Sequence, residues 1–149
     1  LACAFLSGIG RRPVVCRENP GFVHNYIQAA MFRAALTLVE KGVCSAKDVD
    51  TVIQNGFALR LASIGPIRMA DYAGLDTSLN LFRYVYAKTG DPGFKPPGIL
   101  EEMVARGELG MKTGKGFYTY STEEVEQIRK EADLTVLEIK KVEESLKKA

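Results

Sequence analysis

Apolar residues recur along most of this chain at intervals of three and four, the spacing that lines them up on one side of an α-helix. The longest such block follows Pro20-Gly21 and runs to about Lys41, where Gly42 can end it in a left-handed cap. Projected at about 100° per residue, Ala29, Phe32, Leu36 and Val39 form an apolar stripe with Asn25 at its N-terminal end. Tyr26, Arg33, Thr37 and Glu40 fall on another, polar side. A second helix is predicted from Ser45, whose hydroxyl can cap amides near Asp48, to about Gly56. Gly65-Pro66 opens a short helix that Gly74 closes. Asp76 is placed to cap the next one, which carries Leu79, Phe82 and Val85 on one face and stops at Gly90.

Two turn-rich stretches, Asp91-Pro92-Gly93 and Pro96-Pro97-Gly98, lead into a short helix from about Ile99 to Arg106. Gly110 to Gly116 holds three glycines and two lysines and is predicted as a loop. Ser121 and Glu124 have capping-box spacing at the start of a last helix. Val125, Ile128, Ala132, Ile139, Val142 and Leu146 share one face of it, with Glu143–Lys147 and Glu144–Lys148 as i,i+4 pairs on the other. Near the start, Leu1 to Leu6 looks like the end of a helix, and Pro13 to Arg17 like a short extended segment. The pattern contains no internal repeat and predicts one all-α domain.

Composition narrows the class. The 149 residues suit one domain, and 46% hydrophobic with 26% charged is the balance of a soluble globular protein. No run approaches the roughly 18 apolar residues of a membrane span. A formal net charge of +2 is too small to point to nucleic acid or an anionic membrane. The three cysteines, Cys3, Cys16 and Cys44, form no CxxC pair, so a reduced, cytoplasmic setting is expected, with no disulfide framework and no metal site. The chain starts at Leu1 without a methionine or a basic leader, and a fragment or processed product is expected.

Few residues offer chemistry. An asparagine at the end of an apolar stripe needs hydrogen-bond partners, so Asn25 either ties down a loop or orients a substrate oxygen in a cleft. The pattern alone leaves both open. His24 is the single histidine and reads as an ordinary packed or interfacial residue, which leaves no evident catalytic base. Gly8-x-Gly10-x-x-Pro13 imitates a dinucleotide fingerprint but has proline at the third glycine and precedes an extended segment. Gly110 to Gly116 is not a phosphate loop either. It is a flexible loop with solvated lysines, or one that presents amides with Lys112 or Lys115 to an anion. Arg60, flanked by leucines, snorkels to solvent, braces a loop or, less simply, grips a carboxylate or phosphate.

Three stretches taken together resemble one family. Pro20-Gly21-Phe22-Val23-His24-Asn25 resembles the PGF-x-x-N opening of the C-terminal domain of 3-hydroxyacyl-CoA dehydrogenases. Gly65 to Asp76 resembles its GP…AD-x-x-GLD segment, and Gly110 to Tyr118 its G-x-KTG-x-GFY close. The resemblance spans roughly residues 10–120. It implies an all-α dimerisation domain of the 3-hydroxyacyl-CoA dehydrogenase and 6-phosphogluconate dehydrogenase C-terminal type. Residues 1–12 would end the connection from an NAD-binding Rossmann half, 13–120 form the helical domain, and 121–149 add an amphipathic helix.

The same resemblance implies that Asn25 positions the substrate oxygen beside a histidine in the other half, and that Lys112 reaches NAD. The reaction implied is hydride transfer between C3 of a 3-hydroxyacyl-CoA, in fatty acid metabolism, and NAD. The separated chain is then expected to be inactive. Tyr26 stands where many relatives have arginine. The stretch around Arg60 and the last helix are similar to soil-bacterial branches, some of which act on hydroxy acids that are not CoA esters, with Arg60 as a substrate-carboxylate ligand. The other class of function is a stand-alone helical dimerisation or binding module. Either way, stripes such as Leu79/Phe82/Val85 exceed what one small domain must bury, so a homodimer is expected.

Overall fold

The computed structural model describes residues 2–148, with side chains to residue 147. Eight α-helices follow one another: α1 (Ala2–Gly8), α2 (Phe22–Glu40), α3 (Ala46–Asn55), α4 (Phe57–Ile64), α5 (Pro66–Ala73), α6 (Leu75–Thr89), α7 (Gly98–Ala105) and α8 (Thr122–Lys148). Short 3-10 turns cover Pro92–Phe94 and Met111–Thr113, and no strand forms among the described residues. The all-α expectation therefore holds. Contacts divide the chain into two compact units, Leu1–Val52 and Ile53–Ala149, with the boundary inside α3.

Within the first unit, local chemistry sets the helix ends. Asn19, Pro20, Gly21 and Phe22 make a turn in which the Phe22 amide donates to the Asn19 carbonyl at 2.8 Å. Proline occupies the second position and Gly21, at φ 80°, ψ 0°, the third, which is the type II geometry that demands glycine there. That turn launches α2. At its other end Gly42 is left-handed, and the Gly42 and Val43 amides return to Val39 and Leu38. Ser45 and Asp48 cap α3 reciprocally: the Asp48 amide donates to the Ser45 hydroxyl at 3.2 Å and the Ser45 amide to the Asp48 carboxylate at 3.1 Å.

The stripe of Phe32, Leu36 and Val39 is not buried, since no residue of α2 is buried and Leu36 is 68% exposed. The stripe instead lines an open groove of about 280 Å³ with Ala46 and Val49 of α3. Two helices of one small unit have too little surface to cover all sides of a 19-residue helix.

The second unit has a true core. Leu75 and Leu79 of α6 are buried against Leu100 and Met103 of α7, with Phe82 packed on them. Leu79 is thus used inside the unit, whereas Phe82 and Val85 of the same face are only partly buried. A neighbouring cluster joins Met111, Tyr120 and Val125, flanked by Tyr72 and Ile128. Helix α4, which the sequence reading did not mark, packs on α8. The capping box of α8 forms as expected, Ser121 amide to Glu124 at 2.7 Å and Glu124 amide to the Ser121 hydroxyl at 3.2 Å. Ala132 is buried, whereas Val142 and Leu146 at the far end are exposed. The ion pair seen on α8 is Lys141–Glu138 rather than Glu143–Lys147, and the Lys148 side chain lies outside the described residues.

Candidate functional site

Asn25 sits in the first turn of α2, one turn beyond the Pro20-Gly21 bend. Its side chain is exposed and makes no hydrogen bond among the described residues, and His24 beside it is exposed as well. A loop-tying role for Asn25 within its own unit therefore has no bond to support it.

The second unit holds an unexpected centre. Asp71, near the end of α5, is fully buried. One of its carboxylate oxygens accepts the Phe117 amide at 3.0 Å; the other accepts the Tyr118 amide at 3.1 Å and the Tyr120 hydroxyl at 2.8 Å. A buried carboxylate is tolerated when donors surround it in this way. Burial first, and then the Asp71 hydrogen bond, push the Tyr120 phenol well above its ordinary pKa. The glycines of this region follow from the same contact. A side chain at Gly110 would overlap the Asp71 main chain, and one at Gly116 would overlap its carboxylate.

Residues 110–116 are thus tied together by internal hydrogen bonds. Gly110 exchanges main-chain bonding with Lys115, and Lys115 with Thr119. The Thr113 hydroxyl accepts the Leu109 amide at 3.0 Å and lies 3.0 Å from the Lys115 carbonyl. Both lysines point outward into ion pairs. Lys112 Nζ reaches Asp76 at 2.5 Å, and Lys115 Nζ reaches Glu108 at 2.7 Å. Asp76 is consequently not the cap of α6 but a first-turn residue behind Gly74, its carboxylate held below the usual range chiefly by Lys112. Glu108, which also binds Arg106 at 2.9 Å, is pulled down to about 2, with Arg106 the larger cause and Lys115 the next.

The structure places Asn25 in the first unit and Lys112 and Arg60 in the second. Lys112 lies against Gly74 and Asp76. Arg60 is exposed on α4. Asp71, Arg68 and Asp76 were missed as partners. The available signal for Asp71 was an acid between apolar residues in Met69-Ala70-Asp71-Tyr72. Among the described residues no group of histidines, cysteines or carboxylates could hold a metal ion, and all three cysteines are free. No helix of the described residues is long and apolar enough to cross a membrane. A dinucleotide cradle of strand, glycine turn and helix is absent from the described residues, so a bound NAD does not fit this chain by itself.

An all-helical unit closed by a glycine-rich segment knotted onto a buried aspartate defines a class of helical domain, and comparison gives the class its family. The 3-hydroxyacyl-CoA dehydrogenase C-terminal domain model matches residues 21–120. The chain belongs to this family. It is 36% identical over 112 residues to the probable 3-hydroxybutyryl-CoA dehydrogenase of Deinococcus radiodurans, covering 75% of this chain and 39% of that protein. It is 31% identical over 138 residues to the 5-formyl-3-hydroxy-2-methylpyridine 4-carboxylate 5-dehydrogenase of Mesorhizobium japonicum, covering 92% and 44%. The crystal structure of a 3-hydroxyacyl-CoA dehydrogenase from Archaeoglobus fulgidus superposes with a TM-score of 0.80 at 33% identity, over 93% of this chain and 48% of that one. The chain thus spans less than half the length of each of these relatives.

Proposed function

We propose that this chain is the substrate-side, C-terminal portion of an NAD-dependent oxidoreductase of the 3-hydroxyacyl-CoA dehydrogenase type. The observation that carries the reading is the exposed, unbonded Asn25 amide on the first turn of α2. Several other residues of the three family motifs have a local structural task. Pro20 and Gly21 make the turn, Asp71 holds the closing segment, Thr113 braces it, and Gly110 and Gly116 make room. An amide without such a task is available to hold the oxygen at C3 of a substrate as it becomes a carbonyl. Lys112, half-exposed above Gly74, is the cofactor-facing candidate. The nicotinamide supplies the hydride chemistry when bound, and this chain supplies orientation. Association as a homodimer and a cytoplasmic setting belong to the same proposal.

A second reading concerns the substrate. The 138-residue match extends to a dehydrogenase named for a pyridine carboxylate. Arg60, exposed on α4, would then meet a substrate carboxylate rather than a CoA ester.

The test is made on the native protein that contains this chain, purified from its source. An intact mass near twice 16.4 kDa and NAD-linked oxidation of 3-hydroxybutyryl-CoA are expected. Asn25→Ala should lower turnover by about 10²–10³-fold without lowering the melting temperature. Turnover unaffected by that change removes Asn25 from the site. A native product of 16.4 kDa leaves the helical binding module as the reading instead. Activity on an aromatic hydroxy acid but not on the CoA ester favours the Arg60 version.

A further inference from the structure

Arg68, in the first turn of α5, is held in place yet has no acceptor. Its guanidinium carbon lies 4.9 Å from the centroid of the Tyr118 ring, a cation–π contact. Its Nε is buried and has no hydrogen-bond partner. No carboxylate of the described residues forms an ion pair with it. Asp71, one turn further along α5, has both oxygens occupied by Phe117, Tyr118 and Tyr120. Glu124 lies nearby, but its carboxylate takes the Ser121 amide in the α8 cap. A buried N–H left unpaired is costly, and here the terminal nitrogens of the half-buried side chain are the donors that remain open to the outside.

Beside Arg68 is a cleft of about 350 Å³, lined also by Tyr118, Thr119, Glu124 and Gln127. Its aromatic wall is anchored to the buried Asp71. The Tyr118 amide and the Tyr120 hydroxyl are both fastened to Asp71, and the two rings meet edge to face at 6.2 Å. The cation, its stacking partner and the space in front of it are thus in place before any ligand arrives, as binding sites require.

We propose that this cleft binds a small oxyanion, a carboxylate or phosphate group, with the two terminal nitrogens of the Arg68 guanidinium as its bidentate donors. The planar fork of arginine matches both anions, whereas chloride offers no second oxygen. Glu124, lining the same cleft, keeps the affinity modest. The inference does not rest on the oxidoreductase reading, because it concerns binding alone and its test measures no catalysis.

The 149-residue chain is titrated with sodium acetate and, separately, with inorganic phosphate while the Arg68 Nε–H and the Phe117 and Tyr118 amides are followed by NMR. Sodium chloride at matched ionic strength is the control. Saturable shifts with acetate, phosphate or both, and none with chloride, are expected. Arg68→Met should abolish them. Arg68→Lys keeps a cation but loses Nε–H and the fork, and should bind about tenfold more weakly. Saturation by one anion alone assigns the ligand to that class. Equal shifts with chloride, or undiminished binding by the lysine variant, would overturn the site. Should the methionine variant fail to fold, the lysine variant decides.

Discussion

Exchanging Asp71 for asparagine changes almost nothing in size and inverts half of the chemistry at the centre of the second unit. The aspartate accepts three hydrogen bonds, at 3.0, 3.1 and 2.8 Å. Asparagine brings one accepting oxygen and an NH2 that would face donors. If its oxygen kept the Tyr118 amide and Tyr120 hydroxyl, the NH2 would confront the Phe117 amide; the flipped side chain would strand the Tyr118 amide and oblige the Tyr120 hydroxyl to turn and accept. Charge-assisted bonds are worth about 1.5–3 kcal/mol each, and a stranded buried donor costs about 1–3 kcal/mol. Tyr120 is 8% exposed, so little water is at hand to replace its bond. A net loss of about 3 kcal/mol follows from the low end of these figures. For a chain of this size that lowers the melting temperature by about 6–12 °C.

Urea and thermal unfolding would be followed by helical circular dichroism and tyrosine fluorescence. The chain lacks tryptophan, and all its tyrosines except Tyr26 lie in the second unit, so tyrosine emission reports that unit. Asp71→Ala, which removes all three acceptors, should cost more than the asparagine exchange. A loss below about 1 kcal/mol for Asp71→Asn would refute the claim that this carboxylate organises the closing segment.

Three further outcomes are expected. Gly107 and Gly110 both have positive φ, but only Gly110 has the Asp71 main chain where a side chain would go. Gly107→Ala should cost about 1 kcal/mol in urea unfolding and Gly110→Ala about 3 or more, and equal costs would sink the close-approach account. Glu108 has its folded pKa depressed to about 2 from an ordinary 4.5, so its stabilising effect is complete above the unfolded value and is lost as pH falls through the folded one. Glu108→Gln should flatten the fall in stability across that acid range, and an unchanged pH profile would count against the Arg106–Glu108–Lys115 group. The Lys112–Asp76 side chains are 44% and 37% exposed, so Lys112→Met should alter stability by less than about 1 kcal/mol. The same change should raise the KM for NAD in the intact protein, and a large stability loss with KM unchanged would make Lys112 structural.

Helix existence was legible because it is set by residues near in sequence. Pro20-Gly21, Gly42, Ser45 with Asp48, Gly90 and Ser121 with Glu124 all do what local stereochemistry allots them. Helix α4 escaped notice because Phe57 to Ile64 is short and lies between two glycines, with its support coming from α8, far along the chain. Asp76 was misjudged for a similar reason. A cap and a first-turn carboxylate look alike in sequence, and Lys112, 36 residues away, decides between them.

The sequence by itself determined the helical class, most helix ends and the three motifs that place the chain in its family, since periodicity and turn stereochemistry act over a few residues. It also singled out Asn25 and Lys112 as candidates from their positions, while their particular roles came only from the resemblance. Only the tertiary structure decided that Leu79 and Phe82 serve an internal core, that Phe32, Leu36 and Val39 stay uncovered in the first unit, and that residues 110–120 are knotted onto Asp71. The reason is common to all three. Burial and hydrogen-bond pairing depend on which distant residues arrive alongside, and a buried carboxylate is stable only where its donors, here 46 to 49 positions away, have been brought to it.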